Sequence, residues 1–149
     1  MSALDPRLEH DRVVLEDDEE RWTVRAAHAK IAARLRHAFR DYLETYGHPD
    51  SDFAAAESVY GELISTCVLH APGAIRVEFR WADATLTVTD TSDRLRMWPF
   101  SADDSRAEST HHAFAIVRGL CDHVRVTRDP DGGTRASVVL PVTRRETRR

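Results

Sequence analysis

The chain has 149 residues, 42% of them hydrophobic and 31% charged, which suits one globular domain with its own core. A formal net charge of −4 argues against general nucleic-acid binding, and no apolar run approaches the roughly 20 residues needed to span a bilayer. Cys67 and Cys121 are too few for a disulfide framework, and the acidic N-terminus has no signal-peptide pattern, so the expected setting is the cytoplasm, with both thiols buried and reduced.

Residues 1–20 read as a flexible acidic arm holding a short apolar patch at Val13, Val14 and Leu15 and the acidic run Glu16 to Glu20. Arg21 to Arg25 can form a short edge strand. From about Ala27 to Tyr46 the pattern is helical, with Ile31, Leu35, Ala38, Phe39, Tyr42, Leu43 and Tyr46 on one broad stripe. Gly47, His48 and Pro49 end it. Asp50 or Ser51 can cap a second helix over roughly Asp52 to Ala71, striped by Phe53, Ala56, Tyr60, Leu63 and Cys67.

Strict alternation follows. Ile75, Val77, Phe79 and Trp81 alternate with Arg76, Glu78 and Arg80, so this strand has one wet face. Asp83 marks a turn into a partner strand, with Leu86 and Val88 facing one way and Thr85, Thr87 and Thr89 the other. Thr91 to Thr110 show no period but embed Met97, Trp98, Pro99 and Phe100, either as a docking patch or folded back onto a site. A third helix is expected from about His111 to Asp122, with Ala113, Ile116, Val117 and Leu120 inward. A last hairpin runs Val124 to Thr127, turns through Asp129 to Gly133, and returns over Thr134 to Pro141. A basic tail, 143–149, closes the chain. Helices segregated against an antiparallel sheet make the class α+β, a two-layer sandwich.

Three places could carry chemistry. Ser58, Glu62, Thr66 and His70 recur every fourth residue and share one helix face, as either a solvated edge or the wall of a cavity. The alternation puts Asp90 on the core face of its strand, where a carboxylate needs donors from a turn or from a ligand. Gly132-Gly133-Thr134 reads by itself as a hairpin turn. Adjacent His111 and His112, even with His70, lack the spaced Cys/His set of a metal site.

Taken together, these segments resemble the GHKL (Bergerat-fold, histidine-kinase-like) ATPases, closest to the anti-sigma-factor serine kinase, or RsbW-like, branch. Glu62-Leu-Ile-Ser-Thr66-Cys-Val-Leu-His70 resembles the N box, and Asp90-Thr91-Ser92-Asp93 falls at the D-x-G box. His111 to Asp122 resembles the helix after the second glycine box, and Gly132-Gly133-Thr134 with the strand to Pro141 resembles the last hairpin. The resemblance covers about residues 22–142, so the domain is expected over 21–142. It implies a two-layer sandwich with a mainly antiparallel sheet and helices on one face. It also implies a nucleotide, ATP or ADP with Mg²⁺, between the second helix and the sheet. Asp90 would accept from the adenine amino group, with Thr134, Gly133 and Ser92 around the base, and Glu62 would be the general base of phosphoryl transfer.

The boxes depart from the family pattern. Thr66 stands at the Mg²⁺-ligating asparagine position, and the chain contains no asparagine or glutamine. Ser92 replaces a glycine, and no glycine occurs in 91–113, where phosphates would need backbone amides. No metal site is therefore assigned. The expected function is a bacterial regulator that binds a sigma factor or an anti-sigma antagonist, with ATP binding weakened or lost and a homodimer as one assembly. The alternative is an active ATP-dependent serine/threonine kinase that phosphorylates such an antagonist.

Overall fold

A computed structural model describes residues 13–70, 74–90, 115–130 and 133–146. Six strands form one sheet: β1 (Val13–Asp17), β2 (Arg21–Ala26), β3 (Ile75–Arg80), β4 (Thr85–Asp90), β5 (Asp122–Arg128) and β6 (Thr134–Val139). Their order is β1-β2-β3-β4-β6-β5, and every neighbouring pair is antiparallel. Helices α1 (Ala29–Ala33), α2 (Arg36–Tyr46) and α3 (Phe53–His70) join β2 to β3, and α4 (residues 115–120) precedes β5. The class is α+β, as the sequence pattern implies. Among the described residues no helix is long and apolar enough to cross a membrane.

Alternation decides which side of the sheet is buried. Trp22 and Val24 of β2, Val77 and Phe79 of β3, Leu86 and Val88 of β4, and Ala136 and Val138 of β6 share the core face. Phe39 and Leu43 of α2 and Val59, Tyr60, Leu63 and Ile64 of α3 pack into the same cluster. Its centre is aromatic. Phe39 stacks on Tyr60 at 4.8 Å and lies 4.9 Å from Trp22, and Phe79 meets Trp81 edge-on at 4.9 Å. Burying each such side chain contributes about 1.5–3 kcal/mol.

Several boundaries differ from the sequence expectations. The acidic arm is not wholly outside the fold, because Val13–Asp17 pair with β2. An edge strand has one neighbour and two wet surfaces, so its acidic residues cost little. The first helix is broken at Arg34 and Leu35. There the Ala32 carbonyl accepts both the Leu35 N–H at 3.1 Å and the Tyr60 hydroxyl at 2.8 Å, which tightens the turn before α2 starts. The cap of α3 is Asp52, not Asp50 or Ser51: its Oδ1 accepts the Ala55 N–H at 3.0 Å, while the Ser51 hydroxyl bonds to Thr143. Trp81 lies just beyond β3, in the turn.

Leu120, expected inward, is 37% exposed, while Val117 on the same helix is fully buried. The basic tail begins later than 143. Residues Thr143 to Arg145 bond to His48 and Tyr46, Arg144 bridges to Gly47, and the Arg144 guanidinium lies 3.7 Å from the Glu19 carboxylate. Gly47 is required where these stretches of chain meet, since a Cβ there would lie 2.4 Å from the Leu43 carbonyl oxygen and 2.7 Å from the Phe53 ring.

Candidate functional site

Helix α3 packs on the sheet with Cys67, in its C-terminal half, near the end of β4. The register sets Asp90, the last residue of β4, directly opposite Thr134, the first of β6. Both side chains share the core face, at 1% and 3% exposure. The Thr134 hydroxyl is buried and has no hydrogen-bond partner among the described residues. Leaving such a group unmatched costs about 1–3 kcal/mol, so a hydroxyl in this position is a poor choice for the fold alone.

Cys67 of α3 lies close enough to Asp90 to feel its charge. Burial, and after it the negative charge of Asp90, pushes the Cys67 thiol far above its ordinary range, so it stays a neutral thiol. Neither cysteine is in a disulfide, and Cys121, whose thiol donates to the Val117 carbonyl at 3.0 Å, is only half-buried. The turn before Thr134 is set by Gly133, whose φ of 89° is open to glycine and strained for other residues. Asp129 closes the turn: its N–H donates to the Gly133 carbonyl at 3.0 Å, and its Oδ1 accepts from Arg135 at 2.7 Å.

The polar line lies along one face of α3. Ser58 and Glu62 are half-buried at the helix edge, and Thr66 is 4% exposed. The Thr66 hydroxyl donates to the Glu62 carbonyl at 2.9 Å, one turn back in its own helix. That bond places the Thr66 proton within the helix and leaves the oxygen lone pairs unassigned. His70 ends α3, but its side chain lies outside the described residues, as do Ser92, His111, His112 and the Met97–Phe100 segment. Among the described residues no group of three or more His, Cys, Asp or Glu could hold a metal ion.

The register thus brings Asp90 and Thr134 together, with Cys67 of α3 close enough to Asp90 to feel its charge. Glu62 and Thr66 are linked to each other within α3, through the Glu62 carbonyl. Sequence reasoning misses Cys67 as part of this group, although its place in the apolar stripe next to Thr66 is a usable signal. Chemically, the end of the β4–β6 pair holds a buried carboxylate opposite a buried hydroxyl. The chain matches no protein-family model and no curated protein.

Proposed function

We propose that this is a GHKL-type regulatory domain of the anti-sigma-factor serine kinase branch, a bacterial cytoplasmic protein that works by binding a protein partner. Its nucleotide site keeps the base end and has lost the phosphate end. The observation that carries this reading is the Asp90–Thr134 pair, two residues to which the family resemblance gives the adenine, side by side in register with the Thr134 hydroxyl unmatched. The phosphate end is argued from absences in the sequence: no asparagine anywhere and no glycine in 91–113. Thr66, which stands for the Mg²⁺ ligand, already commits its hydroxyl to the Glu62 carbonyl.

Where a nucleotide binds, Asp90 and Thr134 would hold the base. Calorimetric titration with adenosine, ADP, and ATP with Mg²⁺ tests this. Equal, weak binding of all three, lost in Asp90→Asn, is the expected result. A second reading, the active serine/threonine kinase, draws on Glu62 standing half-exposed one turn from Thr66. Mg²⁺-dependent ATP binding with phosphate transfer to an antagonist, abolished by Glu62→Ala in a folded protein, would establish that reading in place of the first.

A further inference from the structure

The face of the sheet turned away from the helices is not covered by any described element, and its side chains are in register across the strands. One row runs Val14, Arg25, Arg76, Thr89, Arg135, Thr127 from β1 to β5. The next runs Glu16, Thr23, Glu78, Thr87, Ser137, Arg125, and on the far side Arg21 faces Arg80. Two pairs of arginines, Arg25 with Arg76 and Arg21 with Arg80, are therefore direct cross-strand neighbours. Like charges placed this way destabilise a sheet. Local acids relieve part of the repulsion: Asp83 holds Arg80 at 2.8 Å, and Asp129 holds Arg135 at 2.7 Å. Arg21, Arg25, Arg76 and Arg125 have no ion-pair partner among the described residues.

Between β3 and β6 the surface dips. Arg76, Glu78, Arg80, Thr87, Thr89 and Arg135 line a shallow open groove, with Thr89 buried at its floor. Strands lie about 4.8 Å apart, so Arg76 and Arg135 stand roughly 10 Å from each other across Thr89. Two guanidinium forks at that separation, one of them oriented by Asp129, can each take a carboxylate.

We infer that this open sheet face is a docking surface for an acidic segment of a protein partner. Charge complementarity supplies the attraction, and three features favour a protein segment over nucleic acid. The row ends on Val14, an apolar side chain 38% exposed. Glu78 sits inside the groove, so the pattern has discrete charges of both signs and would repel a uniform run of phosphates. No aromatic side chain stands in these rows to stack a base. The inference does not depend on the nucleotide reading, because Asp90 and Thr134 face the opposite side of the sheet.

The test is fluorescence anisotropy of the full chain with a labelled peptide of alternating glutamate and serine, and with a thymidine oligonucleotide of equal charge. The peptide is expected to bind, to weaken steadily with added salt, and to lose affinity about tenfold or more in Arg25→Thr/Arg76→Thr. Arg128→Ala, an exposed arginine outside these rows, should leave binding unchanged. The double variant should also melt at or above the temperature of the parent, since it removes an opposed pair. No peptide binding, an equal loss in Arg128→Ala, tighter binding of the oligonucleotide, or a lower melting temperature in the double variant would each overturn the inference.

Discussion

The two halves of α3 bury polar groups in opposite ways. In the N-terminal half Glu57 is almost fully buried, yet both its carboxylate oxygens are engaged, by Arg36 at 3.1 Å and Arg40 at 2.7 Å, with His37 3.4 Å away. One turn on, the Tyr60 hydroxyl reaches the Ala32 carbonyl and its ring stacks on Phe39. In the C-terminal half Cys67 lies close enough to Asp90 to feel its charge, and the Thr134 hydroxyl opposite Asp90 has no partner among the described residues. One end of the helix satisfies its own hydrogen bonds and so reads as structure. The other leaves the Thr134 hydroxyl without a partner among the described residues, as Trp81 Nε1 is elsewhere in the core.

Substitutions can break this contrast, and the largest loss belongs to the closed end. Phe39→Ala removes the ring that touches Trp22, Tyr60 and Phe79 together. It should cost about 3–5 kcal/mol and lower the melting temperature by roughly 10 °C or more in thermal denaturation. An unchanged melting temperature would mean that the aromatic cluster is not the centre of the core.

Next is Glu57. Glu57→Ala leaves two half-exposed guanidiniums without their shared acceptor and should cost about 1–2 kcal/mol at neutral pH, read from urea midpoints. The pH dependence has a definite sign. The hydrogen bond from Arg40, helped by Arg36 and opposed by burial, holds the Glu57 carboxyl below its ordinary value of 4.5. Its stabilisation is thus complete above 4.5 and disappears as pH falls through the lower folded value. The gap between the parent and Glu57→Gln should therefore be widest near neutrality and close in acid. A gap that stayed constant with pH would show that the clamp does not depend on charge.

The sheet is legible in the sequence where a pattern is local. Ile75, Val77 and Phe79 against Arg76 and Glu78 announce β3 and its two faces, and the same alternation in β4 is enough to turn Asp90 inward. What depends on distant partners is not legible. Nothing in Val13–Asp17 outweighs its acidity except the presence of β2 beside it. The break at Arg34 and Leu35 involves Tyr60, which lies on another helix. Thr134 alone reads as part of a hairpin turn, and only the pairing of β4 with β6 sets it against Asp90. The arginine rows are hidden for the same reason, since each strand contributes one or two arginines and register makes the row. Ser92, which stands in place of the family's glycine, lies outside the described residues.

The smallest expected change in stability is the most informative about the open end. Thr134→Val keeps the shape of the side chain and deletes the hydroxyl. Where a buried hydroxyl is matched, this swap costs about 1 kcal/mol, but where it is unmatched the loss vanishes or turns into a gain of similar size. Thr66→Val serves as the internal standard, because its hydroxyl is bonded at 2.9 Å within α3. Urea unfolding should therefore show Thr134→Val at least as stable as the parent, with Thr66→Val at or below it. If adenosine binding is then lost in Thr134→Val alone, the hydroxyl serves a ligand at the expense of the fold. If Thr134→Val instead destabilises the protein by about 1 kcal/mol or more, the hydroxyl has found a partner within the chain, and the two halves of α3 differ only in degree.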